Sequence, residues 1–259
     1  MAGGLKTSPL GVTQTYRWSM GRNNGRLGSP WGMPYALDPC AKREPPMTEA
    51  KDMEAMLDSI GSSEPHEVGY IPVAVSARHV HLSRATIDRV FGKGYELRTR
   101  SPLAQHGQFS AEEKVSLIGP GGRMDGVRLI GPPREHDQVE ISRSDAIRLG
   151  VDAPIRQSGD LEHTPRITVR GPRGSTAIDG VICALRHIHC NEQEAARLGV
   201  VDGQIVRVKL AGHARDVTFG DVVVRVAPPF SLQLHLDTDE ANAAGVVSGD
   251  YGTLLLSQS

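Results

Sequence analysis

The sequence is poor in cysteine. Cys40, Cys183 and Cys190 are three among 259 residues, too few and too irregularly spaced for a disulfide framework. They fit a reducing, cytosolic setting. Aromatic residues are scarce, with two Trp, five Tyr and four Phe. No excess of one charge exists either: the formal net charge is −1, so the chain as a whole has no pull toward nucleic acid or an anionic membrane. No apolar run approaches the roughly 20 residues that cross a bilayer. The N-terminus carries Lys6, Arg17, Arg22 and Arg26 but no apolar stretch, so it does not read as a secretory signal. Also missing are a Gly-x-Ser-x-Gly elbow, a P-loop and a Gly-x-Gly-x-x-Gly turn after a strand.

What is present is glycine, 29 residues, with 17 prolines. From Ile71 onward these punctuate runs of strand composition, among them IPVAVS, KVSLIG, VRLIG, RITVRG, GQIVRVKL and DVVVRVA. The length suits one large domain or two small ones. Residues 1–46, with Gly-Gly, Ser-Pro and Glu-Pro-Pro, read as a disordered extension. Residues 47–60 differ. Ala50, Met53, Met56, Leu57 and Ile60 recur at three- and four-residue steps, which marks an amphipathic helix after Thr48. So short a helix gains stability by docking its apolar face. Its own domain and a partner protein both qualify as the surface it docks on. Residues 61–70 read as a linker.

Four segments then repeat one pattern: His79-Val80-His81-Leu82-Ser83, Gln138-Val139-Glu140-Ile141-Ser142, His187-Ile188-His189-Cys190-Asn191 and Gln233-Leu234-His235-Leu236-Asp237. Each runs polar, apolar, ligand-type, apolar, helix cap. Glycines 92, 150, 199 and 245 stand where the following helices should stop. Residues two apart on a strand share a face, so His79 with His81, and His187 with His189, can reach one ligand together. Glu140 and His235 occupy the equivalent position in the other copies. Five imidazoles and a carboxylate suit zinc or a similar first-row ion, with enough ligands for two. A single His-x-His pair arises readily by chance; two at equivalent repeat positions do not. His66, His106, His136, His163 and His213 fall outside the pattern and read as surface or loop residues. The grammar predicts a mainly β fold with short helices: two related β-barrel domains, 71–165 and 166–259, with the active site at their junction.

Around these ligands lie weaker signals. Arg134, in GPPREHDQVE, has the fork that grips a phosphate. Gln105, Gln108 and Ser110 sit in a loop of donors and acceptors, Gln138 opens the second copy of the repeat, and Ser158 stands in a turn. Arg225 lies among apolar neighbours, where a charge needs a partner or a ligand. Cys190 alternates away from His189 and Cys183 reads as core, which disfavours a covalent acyl-cysteine route.

VAVSARHVHLS, the AQHGQF loop, GPPREHDQVEIS, RHIHCNEQEA and LQLHLDTDEAN together resemble the PduL-type phosphate propanoyltransferases, the phosphotransacylases of bacterial microcompartments. The resemblance runs from about Ile71 to the C-terminus. It implies two β-barrel domains, a two-metal site, usually zinc, and acyl transfer between coenzyme A and phosphate. By the same resemblance His79, His81, Glu140, His187, His189 and His235 are the metal ligands and Arg134 binds phosphate. One metal would hold the coenzyme A sulfur and the other would orient phosphate or polarise the acyl carbonyl. Residues 47–60 look like an encapsulation peptide that recruits the enzyme, as a homo-oligomer, through shell or cargo proteins to the microcompartment lumen within the cytoplasm. Two alternatives stand beside this: a metal-dependent thioester or phosphoester hydrolase that uses water, and a zinc-stabilised scaffold.

Overall fold

The computed structural model describes residues 66–211 and 215–256. The expectations for 1–46 and 47–60, for the first half of the linker and for His213 lie outside the described residues. Among the described residues, fifteen strands and four helices follow in chain order. Strand β1 is His66–Ser76, β2 His79–His81, β3 Thr99–Pro102, β4 Phe109–Ile118, β5 Arg123–Gly131 and β6 Gln138–Glu140. Then come β7 Ile155–Arg156, β8 Ile167–Arg170, β9 Ser175–Ile178, β10 Val181–Ala184 and β11 His187–Cys190. The last four are β12 Ile205–Leu210, β13 Val217–Val226, β14 Gln233–Asp237 and β15 Tyr251–Leu256. The helices are α1 Arg84–Phe91, α2 Arg143–Leu149, α3 Glu192–Leu198 and α4 Thr238–Ala244.

Every copy of the repeat folds in one way: a buried strand, a cap, one or two turns of helix. Ser83, Ser142, Asn191 and Asp237 each accept a hydrogen bond from the backbone N–H three residues on. In the last two copies Glu194 and Glu240 close a full capping box. Helices this short cannot stand alone. They hold because Ile87 and Val90, Ala146 and Leu149, Ala195 and Leu198, and Ala241 and Ala244 are buried under them.

Strands β1, β14, β11, β13, β12 and β15 close a six-stranded barrel. The other nine form an open, curled sheet in the order β7-β10-β6-β2-β5-β4-β8-β9, with β3 beside β4. Each body has its own core. Leu117, Leu129, Ile87 and Leu149 belong to the core of the open sheet; Ile71, Leu234, Leu236, Leu210 and Leu254 belong to that of the barrel.

The division expected at 165/166 does not follow the sheets. Strand β1 pairs with β14 and β15 of the barrel, and β8, β9 and β10 belong to the open sheet. The two halves have exchanged the strands that precede their His-x-His motifs: Ala74 of β1 lies beside His235, and Ile182 of β10 beside Glu140. The chain therefore passes from barrel to sheet at Ala77-Arg78 and back at Leu185-Arg186. Residues 66–70, expected as linker, are the start of β1, with His66 opposite Leu256 and Tyr70 opposite Thr253.

Gly150 and Gly199 close α2 and α3 with φ of 69° and 65°, a left-handed conformation that costs a residue with a side chain about 1–3 kcal/mol. They differ in surroundings. A Cβ on Gly150 would stand 2.6 Å from the nitrogen and 2.8 Å from the Cα of Gly121, whereas one on Gly199 meets nothing within 4 Å. Gly199→Ala should therefore cost ~1 kcal/mol and Gly150→Ala about 2 kcal/mol more, from overpacking. Denaturant unfolding of the two variants measures the difference; equal losses would refute the close approach.

Candidate metal centre

Strands β2 and β6 run antiparallel, with His79 opposite Glu140 and His81 opposite Gln138. Strands β11 and β14 repeat the arrangement, with His187 opposite His235 and His189 opposite Gln233. Alternation then sets three ligand-type side chains on one face of each pair. The result is two triads, His79/His81/Glu140 on the sheet and His187/His189/His235 on the barrel. Within each, three potential ligand atoms all lie within 4.8 Å of one another. Both triads line a single cavity of about 840 Å³.

The first histidine of each triad is held alike. His79 Nδ1 lies 2.9 Å from the Ala77 carbonyl oxygen and His187 Nδ1 lies 2.7 Å from that of Leu185. With Nδ1–H donating to a carbonyl, Nε2 is left as a free lone pair, the arrangement seen around metal-binding histidines. His79 Nε2 is 3.5 Å and His81 Nε2 4.0 Å from the Glu140 carboxylate oxygens. On the barrel, His189 Nδ1 meets Gln105 Nε2 at 2.8 Å, and the His189 ring stacks on Phe230 at 3.9 Å between centroids. The Nε2 atoms of His189 and His235 are buried and have no hydrogen-bond partner. A buried polar atom left unsatisfied is costly, and two such nitrogens converging beside a third imidazole suit a soft or borderline cation. The residues present thus fit a metal in each triad.

Positive charge gathers around the triads. Arg134 and Arg225 both line the cavity. Among the described residues neither forms a salt bridge: Arg134 Nη1 reaches the Ser158 hydroxyl at 3.4 Å, and Arg225 lies 5.7 Å from the Phe230 ring. Burial, together with Arg225, pulls the Arg134 pKa down, against the pull of Glu140. Two guanidinium groups without ion-pair partners among the described residues, in one cleft, favour an anionic ligand.

All six ligand-type residues expected from the repeat meet at the cavity, as do Gln105, Gln108, Arg134, Ser158 and Arg225. Gln138 does not line it. Its side chain is buried, donating to Glu140 Oε1 at 2.5 Å and Ser158 Oγ at 2.8 Å while its carbonyl accepts from Gly159 N–H. Fully bonded, it orients Glu140 and the 158–159 turn. His66, His106, His136 and His163 are exposed. Cys183 and Cys190 lie in the two cores, and burial raises both thiol pKa values, that of Cys183 to about 11. Sequence reasoning missed Phe230 and Arg128, which also face the cavity. An aromatic in a Pro-Pro-Phe turn of a chain so poor in aromatics was the available signal for the first.

A family description for phosphate propanoyltransferase matches residues 72–247. The chain is 50% identical over 181 residues to the phosphate propanoyltransferase of Thermotoga maritima, an overlap of 70% of this chain and 86% of that protein. It is 46% identical over 187 residues to that of Priestia megaterium, covering 72% and 86%, and 46% over 189 to that of Limosilactobacillus reuteri, covering 72% and 88%. The chain belongs to the phosphate propanoyltransferase family. As a phosphate propanoyltransferase-family member it is an acyltransferase.

Four imidazoles of the triads are biased toward the neutral form. Burial first, then neighbouring imidazoles, push His189 down to about 2 and His235 to about 3; His81 and His187 are lowered too, again chiefly by burial. The unfolded chain, with histidines near the usual 6.5, takes up protons that the folded chain refuses. Stability is therefore complete above that value and falls as pH drops below it. In chelator-treated protein the melting temperature should drop between about pH 7 and pH 5, and a His189→Gln/His235→Gln variant should show a flatter dependence. Parallel curves for the two proteins would contradict this.

Proposed function

We propose that this chain transfers a short acyl group, propanoyl or similar, reversibly between coenzyme A and inorganic phosphate at a site that holds two zinc-class ions. The observation that carries the reading is the pair of triads facing one cavity, with the Nε2 atoms of His189 and His235 buried and unpartnered. His79, His81 and Glu140 would hold one ion, and His187, His189 and His235 the other. Three protein ligands each leave a position open, the mark of a catalytic rather than a structural zinc. When bound, the ions supply Lewis-acid polarisation of a carbonyl and affinity for a thiolate sulfur.

The chain's own residues do the rest. Arg134 grips phosphate with its planar fork, and Ser158, bonded to both Arg134 and Gln138, fixes that fork's direction. Arg225 adds a second positive charge and lies against Phe230. Gln105 and Phe230 hold the His189 ring by its Nδ1 and its face. Held in line, a phosphate oxygen adds to the thioester carbon and the carbon–sulfur bond breaks, giving acyl phosphate and the thiolate of coenzyme A; proximity supplies much of the acceleration. The two arginines favour an anion over water as acyl acceptor, which separates this reading from a thioester hydrolase. Ala77, Ser76, Pro72 and Ser248 extend the cavity beyond the triads, giving room for the rest of an acyl-CoA.

We place the enzyme, as a homo-oligomer, in the lumen of a bacterial microcompartment, recruited through the apolar stripe of residues 47–60 to shell or cargo proteins. No helix among the described residues is long and apolar enough to cross a membrane. A fluorescent fusion lacking 47–60 should stay diffuse in cells that form compartments while the full chain forms foci; foci from both would rule out this role.

Consumption of propanoyl-CoA should require phosphate, and consumption at an equal rate without phosphate would favour the hydrolase. Arg134→Lys keeps the charge and loses the fork, so it should raise the KM for phosphate by about tenfold or more while the KM for propanoyl-CoA changes little. An unchanged phosphate KM would remove Arg134 from the acceptor site.

A further inference from the structure

Each His-x-His motif is preceded by an arginine at a crossover: Arg78 stands between β1 and β2, and Arg186 between β10 and β11. Each guanidinium group reaches a helix, and Arg78 also lines the triad cavity. Arg78 Nε donates to Asp145 Oδ2 at 2.6 Å; Arg186 Nε forms an ion pair with Glu240 Oε1 at 2.8 Å, without hydrogen-bond alignment, and its Nη1 pairs with Asp221 at 3.0 Å. The two acids occupy the same place, the third residue of the helix that follows the partner strand. Asp145 follows β6, which bears Glu140; Glu240 follows β14, which bears His235. Both carboxylates are largely covered, with 6% and 17% of their side chains exposed.

The geometry explains why such a link is useful. The ladders that bring the ligands together are three residue pairs long on each side. Each begins at a crossover, where the chain leaves one body for the other. The peptide on which the arginine sits also supplies the carbonyl that fixes the first histidine, Ala77 for His79 and Leu185 for His187. An ion pair from that residue to the partner strand's helix, hydrogen-bonded in the case of Arg78, resists rotation of the crossover, and with it rotation of the ring.

We propose that Arg78–Asp145 and Arg186–Glu240 are two equivalent struts, each positioning one histidine of its own triad toward the metal. The inference rests on the two-metal reading above. It assigns no contact with substrate to Asp145 or Glu240; these are positioning residues.

The substitutions that test it preserve local structure. Glu240→Gln keeps a side chain able to complete the Asp237 capping box but removes the helix charge facing Arg186, leaving only the more exposed Asp221 among its paired carboxylates. Asp145→Asn does the same for Arg78 and leaves the Ser142 cap, which bonds the Asp145 backbone. Full-length protein is titrated with cobalt(II), read by visible absorption, in two backgrounds. His189→Ala leaves the sheet triad intact, and His81→Ala leaves the barrel triad.

In the His189→Ala background, Asp145→Asn should weaken cobalt binding about tenfold, the low end for outer-shell partners, and Glu240→Gln should leave it within about twofold. In the His81→Ala background the pattern should reverse. Equal losses from both substitutions in both backgrounds would mean general loosening and overturn the struts, as would unchanged affinities throughout. Wild-type protein that binds no cobalt would overturn the two-metal reading itself. Wild-type protein that takes up two ions, with substitutions that do nothing, would overturn the struts alone.

Discussion

The site depends on a strand exchange. Strand β1 leaves its own half to pair with β14, and β10 pairs with β6. Each exchange forces the chain across from one body to the other within two residues, and each His-x-His begins immediately after a crossing. The triads are thereby pinned where barrel and sheet meet. Loops 103–108 and 227–232 add to that junction through His106 N–H to the Pro229 carbonyl and Ser231 Oγ to the Ala104 carbonyl, and α2 meets α4 where Ser144 N–H donates to Asp239.

Electrostatics decide what such a junction can hold. Five imidazoles crowd together with one carboxylate, and burial keeps four of them from protonating. A neutral imidazole is a ligand; a protonated one is not. Two arginines without salt-bridge partners among the described residues then leave the cavity in want of an anion. The same arrangement accounts for an acceptor such as phosphate and for the negatively charged coenzyme A.

Much of this was legible in the residues. The repeat carried the strand–cap–helix grammar, and the four caps bond as their residue types require. All six ligand-type positions could be read because a period of two on a strand and a fixed place in the repeat are local properties. The strand exchange was not legible. IPVAVS and VICA have the composition of buried strands whichever sheet receives them, and hydrogen-bonding partners leave no mark on a strand's own pattern. Reading 66–70 as linker failed for the same reason, since HEVGY becomes a strand only beside β15. Gln138 looked like a substrate ligand because its type is polar and its place adjoins Glu140; its bonds are already spent inside the protein.

Anomalous diffraction from crystals of the full chain grown with zinc tests the central claim most directly. Two peaks should stand out, one about 2.0–2.2 Å from the ligand atoms of His79, His81 and Glu140 and one at the same range from His187, His189 and His235. A structure with both triads formed and no anomalous density at either, or with zinc only at surface histidines such as His136 or His163, would contradict the account.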